Sequence, residues 1–287
     1  MKTLKYYFKK AEQQKFAIGQ FNFSDFSQVK GIVEAAKKLK APIILGTSEG
    51  ESKFVGIKEA VAMRNVLRKE TGLPIFLNLD HGKSLDYLKE VIAAGYDMVH
   101  FDGSKLDFLE NAKTTQNVIR YAKRKGILVE GEMGNIGTES SKVYEEKFEI
   151  KEEDLTKPEE AKKYLAKTKA NLLAISVGTF HGVDSTGTSP HIRIDRLKEI
   201  KKELGSTYLV LHGGSGTPEE DIREAIKQGI VKININTELR LAFANALKAT
   251  LCQNNEITPY KYLPEAIRAV ETIVEAKIKL FGSVGKA

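Results

Sequence analysis

Three histidines in this sequence are each followed by glycine: His81 in LDHG, His181 in TFHG and His212 in LHGG. A glycine beside a ligand lets backbone and ion approach closely. Three imidazoles with an open fourth position describe a catalytic zinc site. A histidine taken alone is more often a packed or surface residue, so the spacing leaves a metal site and ordinary packing both open. Asp80 directly precedes His81. It is either a strand-end cap or a carboxylate that orients a histidine, or a general acid/base beside a metal. His100 stands two residues before Asp102 and is expected to pack, and His191, in SPHIRID, to lie in a loop.

The segment HGGSGTPEED begins at His212. Thr217, Pro218 and Glu220 read as the N-cap, the N1 proline and the N3 acid of a capping box. That start would put Gly213, Gly214, Ser215 and Gly216 at a helix N-terminus, where backbone N–H groups attract phosphate. A tight turn that needs glycine for its geometry is the plainer reading. Four small residues in a row exceed what a turn requires, which favours phosphate.

These residues need elements to carry them. Short β-rich runs recur along the chain: FAIGQFN (16–22), APIILGTS (41–48), PIFLNLDH (74–81), DMVHFDG (97–103), GILVEGE (126–132), NLLAISVG (171–178), TYLVLHGG (207–214) and IVKININT (230–237). Helical patterns such as QVKGIVEAAKKLK and SLDYLKEVIAAG lie between them. Strands alternating with helices predict parallel βα units, and eight of them predict a closed (β/α)8 TIM barrel as one domain. Near-continuous apolar runs suit strands buried on both faces. An open doubly wound sheet would usually carry a glycine-rich loop after the first strand, whereas here that strand runs into QFNFSDF.

The polar residues fall at the carboxyl ends of these runs. Asn22, Ser48, Asp80 with His81, Asp102, and Glu130 with Glu132 end the first five. His181 follows the sixth, His212 ends the seventh, and Asn234, Asn236 and Thr237 end the eighth. In a barrel these ends converge on the face where active sites sit. Leu4, Tyr7 and Phe8 predict a short amphipathic helix at the start. The longest irregular stretch runs from Gly134 to about Leu155, and EAIRAVETIVEAKIKLFG predicts one more helix near the end.

With 41% hydrophobic and 29% charged residues in 287, the chain can fill a large core and is not a disordered polymer. No apolar run approaches the ~20 residues that span a bilayer, and the start lacks the apolar stretch of a signal peptide. Cys252 is the only cysteine, which excludes an internal disulfide. A cytoplasmic protein without membrane attachment is expected. The net charge of +7 raises nucleic-acid binding as a question, but the lysines alternate with glutamates in helical stretches such as RLKEIKKEL. That is the pattern of a solvated helix face, so no nucleic-acid partner is expected. The positive excess suits anionic small substrates.

At these residues the sequence resembles the class II fructose-bisphosphate aldolase family, tagatose-bisphosphate aldolases included. The likeness runs nearly end to end through FNFSDFSQVKGIVEAA, TSEG, LDHG, FDGS, VEGEMG, VGTFHGV, LHGGSG, KININTEL and KIKLFGSVGKA. It implies Asp80 as catalytic acid/base and His81, His181 and His212 as ligands of a catalytic zinc ion. It implies Asp102 and Glu132 as carboxylates that hold a second divalent ion or an alternative zinc position. Gly182, Gly213 and Ser215, with Gly214 beside them, match substrate-phosphate contacts. Asn234, Asn236 and Thr237 match the segment that binds the ketose phosphate, and Asn22 and Ser48 complete the candidate substrate set. Backbone oxygens near Val177, Gly182 and Gly213 resemble a monovalent cation site for Na+ or K+.

The implied reaction is the reversible retro-aldol cleavage of fructose 1,6-bisphosphate to dihydroxyacetone phosphate and glyceraldehyde 3-phosphate. Zinc would act as Lewis acid, Asp80 would take the C4 hydroxyl proton, and no Schiff-base lysine is needed. A homodimer or homotetramer is implied. Three departures stand out. The family's usual GGEED, whose glutamate helps move the carbon-bound proton, is GTESS here, from Gly137 to Ser141, leaving Glu139 as the candidate. Tyr260 in TPYKYLP occupies the place of an arginine that can hold the second phosphate. FHGVD replaces the commoner HGAY or HGVY ending. Alternatives are therefore tagatose 1,6-bisphosphate or another phosphoketose as substrate, or a barrel that binds metal and phosphate without turnover.

Overall fold

The computed structural model describes residues 2–136, 143–144, 150–184, 191–253 and 255–287. In chain order its strands are β1 (Ile18–Asn22), β2 (Ile43–Ser48), β3 (Ile75–Gly82), β4 (Met98–Phe101), β5 (Leu128–Met133), β6 (Val143–Tyr144), β7 (Leu172–Ile175), β8 (Val183–Asp184), β9 (Tyr208–Leu211) and β10 (Ile230–Ile235). Each predicted run coincides with one barrel strand, β3 and β5 ending one residue beyond theirs. They close in the order β1-β10-β9-β7-β5-β4-β3-β2, and every neighbouring pair is parallel. This is the expected TIM barrel. The short strands β6 and β8 pair with each other, parallel, outside the barrel.

The helices are α1 (Leu4–Gln14), α2 (Phe26–Leu39), α3 (Glu49–Val55), α4 (Ile57–Thr71), α5 (Leu85–Ala94), α6 (Phe108–Lys123), α7 (Pro158–Thr168), α8 (Ile194–Leu204), α9 (Glu219–Lys227), α10 (Thr237–Gln253) and α11 (Pro259–Leu280). Among the described residues none is long and apolar enough to cross a membrane. The sequence pattern starts the last helix at Glu265, but α11 starts at Pro259 and carries Pro264 inside it. Proline is pre-organised for the first helical position. The packed stripe of Ala266, Val270, Val274 and Ile278 then holds the helix against the barrel.

Successive side chains on a strand point to opposite faces, and here the two faces carry different chemistry. One set, including Phe21, Leu45, Leu77, Val99 and Ile233, packs against the outer helices. The other set faces the barrel axis and changes along it. Near the amino ends, Ile18, Ile44, Phe76, Met98, Leu172 and Val210 form an apolar layer. Leu4, Tyr7, Phe8 and Ala11 of α1, spaced as one helical face, seal that layer from outside. Two residues further along the same faces stand Gln20, Asn78, His100, Glu130, His212 and Lys232, all fully buried. Asn22, Asp80, Glu132 and Asn234 lie two residues beyond their strand-mates and are buried as well. The barrel thus has an apolar floor and a polar upper interior.

Candidate functional site

His81 adopts φ +52°, and the pairing of β3 with β4 slips between Leu79 and Gly82. The left-handed turn breaks strand alternation, so Asp80 and His81, neighbours in sequence, both reach the barrel mouth. A non-glycine residue in this region costs ~1–3 kcal/mol and persists only where its surroundings over-determine it.

His81 Nε2 lies 3.1 Å from His181 Nε2 and 3.1 Å from His212 Nδ1. The other ring nitrogens of two of these residues face carboxylates. His81 Nδ1 is 3.0 Å from Asp102 Oδ2, and His212 Nε2 is 2.8 Å from Glu130 Oε1. A carboxylate on one nitrogen fixes the proton there and leaves the other as a ligand. Ring nitrogens brought this close repel unless a proton or a cation lies between them. The donor set therefore fits a divalent ion that favours imidazole. Asp102 is itself held by Ser104, whose N–H and hydroxyl donate to Oδ1 at 3.1 and 2.6 Å. With Glu132 and His81 it forms a second group able to hold an ion.

Burial holds the His212 imidazole below its usual pKa, outweighing its hydrogen bond to Glu130. It is thus neutral, the form a metal binds. Burial would lower His81 too, but the charge of Asp80 and the hydrogen bond to Asp102 raise it.

Asp80 is gripped from two sides. Asn234 Nδ2 donates to its Oδ1 and Asn22 Nδ2 to its Oδ2, each at 3.0 Å. Burial alone would raise its pKa, yet the charge of His81, the adjoining His100 and the charge of Lys232 hold it well below the usual carboxylate range. It is therefore a carboxylate, with fixed orientation, able to accept a proton. Lys232 is fully buried and donates to Glu130 Oε2 and Asn234 Oδ1, both at 2.8 Å. One ammonium thus steadies both the carboxylate behind His212 and the carboxamide on Asp80.

A pocket opens over these groups, lined by Asp80 and the three histidines. Gly182, Gly213, Ser215, Asn234, Asn236 and Thr237 line it as well. Asn236 Oδ1 is buried with no hydrogen-bond partner among the described residues, a polar atom left for a ligand. Gly213 has φ +66°, and a Cβ there would lie 2.3 Å from Phe180 O. Glycine lets the β9 loop touch the backbone before His181. That neighbouring segment continues into β8, which pairs with β6.

The expected helix start after HGGSG needs correction. Thr217 is not an N-cap: its hydroxyl donates to Gly213 O at 2.9 Å, and α9 begins at Glu219 with Pro218 in the cap position. Glu219, Glu220 and Asp221 fill its first turn and already complement the helix dipole. The helix that starts at the pocket is α10, at Thr237.

Ser48 spends its side chain on the cap of α3, and Gly214 packs against Ile233 and Asn234 O. His100 is buried as packing would have it, but against the polar cluster. Its ring lies 4.7 Å from that of His81 and 4.8 Å from that of His212, and its Nδ1 accepts the His81 N–H. His191 lies exposed before α8, 2.9 Å from Asp221. Glu139 and the rest of GTESS lie outside the described residues. Sequence reasoning overlooked Lys232, although the alternation Lys232, Asn234, Asn236 within an apolar run is the sign of a polar inward face.

Comparison with known proteins agrees with this geometry. The family model described as fructose-bisphosphate aldolase class-II matches residues 2–286. A fructose-bisphosphate aldolase of Thermus caldophilus is 36% identical, over 97% of each chain. A sulfofructosephosphate aldolase of Alkalicoccus urumqiensis is also 36% identical, over 96% of this chain and 95% of its own. Among solved structures, the YdjI aldolase from Escherichia coli K12 superposes with a TM-score of 0.84 at 28% identity, covering all of both chains. With a whole-length family match laid over a barrel of matching architecture, the chain belongs to the class II fructose-bisphosphate aldolases.

Proposed function

We propose that the protein, working as one barrel domain, is a zinc-dependent lyase that reversibly cleaves fructose 1,6-bisphosphate to dihydroxyacetone phosphate and glyceraldehyde 3-phosphate. The observation that carries this reading is the placement of the clamped Asp80 carboxylate beside the converging nitrogens of His81, His181 and His212. Those histidines would hold the catalytic ion, which supplies Lewis-acid polarisation of the ketose carbonyl. Asp102 and Glu132 offer a second divalent position, and backbone oxygens near Val177, Gly182 and Gly213 a monovalent one.

The chain's own residues do the rest. Asp80 takes the C4 hydroxyl proton as the C3–C4 bond breaks and the aldehyde departs. Asn22 and Asn234 keep its oxygens aimed at that hydroxyl. Gly182, Gly213, Ser215, Asn236 and Thr237 receive the phosphate of the retained fragment, with α10 presenting its positive end. Glu139 is the candidate for the later proton at carbon. The same reading includes a cytoplasmic location.

A second reading keeps the chemistry and changes the far end of the ketose. Tyr260, in the arginine position, is 75% exposed, and a relative of equal identity is named for a sulfosugar phosphate. The test is cleavage of fructose and tagatose 1,6-bisphosphates and sulfofructose phosphate, with chelator and after zinc is added back. Fructose 1,6-bisphosphate cleavage should vanish with chelator and return with zinc. Full activity in chelated protein would overturn the zinc requirement. No cleavage of any sugar by zinc-loaded protein would leave a binding barrel without turnover.

The same reading includes a homodimer or homotetramer. Of the seventeen residues of α10 only Thr237 and Leu239 are buried, and Leu251, Ile257 and Tyr260 are exposed nearby. Light scattering at micromolar concentration should give at least twice the chain mass of 31.9 kDa. A monomer at that concentration would refute the assembly.

A further inference from the structure

A chain of carboxamides runs up the barrel interior to Asp80, and its direction follows from chemistry alone. Asn22 Nδ2 faces two carboxylates, Asp80 Oδ2 at 3.0 Å and Glu51 Oε2 at 3.2 Å. Carboxylates only accept, so this atom is the amide nitrogen. Asn22 Oδ1 therefore points the other way, where Gln20 Nε2 donates to it at 3.0 Å. Gln20 Oε1 in turn accepts from Asn78 Nδ2 at 2.7 Å. Gly46 makes the room, since a Cβ there would lie 2.2 Å from Asn22 Oδ1 and 2.8 Å from Gln20 Nε2.

The outer end of this chain is Glu51, only 6% exposed at the start of α3. Its Oε2 also accepts the Ser48 N–H at 2.8 Å. Its Oε1 accepts from Arg240 Nη2, on α10, at 2.6 Å. A capping residue needs no such ion pair with a helix that follows β10, on the other side of β1. Asn22 has two amide hydrogens. Glu51 takes one and Asp80 the other, so Glu51 fixes the angle at which the second is delivered.

We propose that Glu51, held by Arg240, is a positioning residue for carbon–carbon bond cleavage. With the Gln20–Asn78 pair it locks the Asn22 carboxamide so that Asn22 orients the Asp80 carboxylate. The proposal rests on the assignment of Asp80 as the acid/base group. It differs from a merely structural cap in what it perturbs: the rate of the chemical step rather than binding.

The test compares zinc-loaded wild type, Glu51→Ala, Glu51→Gln and Gly46→Ala by crystal structure, zinc content, melting temperature, kcat and KM. In Glu51→Ala, Asn22 should rotate off Asp80 and kcat should fall about tenfold or more, with KM within about threefold and zinc content unchanged. Glu51→Gln keeps an acceptor and should recover to within about threefold of wild type. Gly46→Ala reaches Asn22 from the opposite side and should displace it too. An Asn22 that stays on Asp80 in Glu51→Ala, or a kcat within twofold of wild type, overturns the inference. A wild type that cleaves none of the sugars refutes the aldolase reading alone, because the position of Asn22 in Glu51→Ala still decides whether the lock exists.

Discussion

Replacing Asp80 by alanine is expected to lower kcat by about 10²–10⁴-fold, the usual worth of a positioned general acid/base, while zinc content stays at the wild-type level. The two parts of the expectation have separate causes. Asp80 donates no nitrogen to the histidine cluster, and the rings of His81 and His212 are oriented from behind by Asp102 and Glu130. Removing Asp80 leaves those supports in place. Its amide partners also keep some of their bonds: Asn22 retains Gln20 and Glu51, and Asn234 retains Lys232. The pocket should therefore hold its shape while losing the group that takes the hydroxyl proton. Steady-state kinetics with metal analysis of the same sample would decide it. A kcat within tenfold of wild type would move the acid/base role to another residue, and loss of zinc along with activity would make Asp80 a structural member of the metal site.

Asp80 and its histidines were legible because strand ends are legible. Buried parallel strands read as apolar runs, and a polar residue that stops such a run marks the carboxyl face. The glycine after each of the three histidines marked them as candidates while leaving ordinary packing open. Less visible was the layer beneath. Gln20, Asn78, His100, Glu130 and Lys232 lie inside strands, not at their ends, and a polar residue there looks like a break in the pattern. Period two resolves it: Gln20 with Asn22, Asn78 with Asp80, Glu130 with Glu132 and Lys232 with Asn234 each share one inward face. Glu51 was hidden for another reason. Its sequence context, three residues after Ser48, spells a capping box, which it also forms, so its contact with Asn22 on another strand has no local signature. The start of α9 was misplaced because Thr-Pro-Glu-Glu satisfies the cap pattern at Thr217, while in the fold that hydroxyl turns back to Gly213.

The buried lysine carries the other large expectation. Lys232 and Glu130 have no exposed surface, and their ion pair spans 2.8 Å. Lys232→Met keeps much of the volume but takes the ammonium away from Glu130, leaving it with His212 and His100. Breaking a buried pair from one side costs about 3–5 kcal/mol, because the remaining charge has lost its partner without regaining water. At roughly 2 °C per kcal/mol for a domain of this size, the melting temperature should fall by about 6–10 °C. Zinc affinity should weaken by about 10–100-fold, the range seen when the group behind a ligand is lost. The positive charge of Lys232 also helps keep Glu130 ionised, with burial pulling the other way. Without it Glu130 shifts toward its protonated form, which cannot accept the His212 N–H in the same way. The double variant Lys232→Met/Glu130→Gln removes both charges and leaves a neutral acceptor behind His212. It should recover much of the lost stability, since the uncompensated charge and not the missing pair is the main penalty. Thermal melts of both variants, with and without zinc, test this. A single variant within 1 kcal/mol of wild type, or a double variant no better than the single, would show that the ion pair is not what steadies the floor of the metal site.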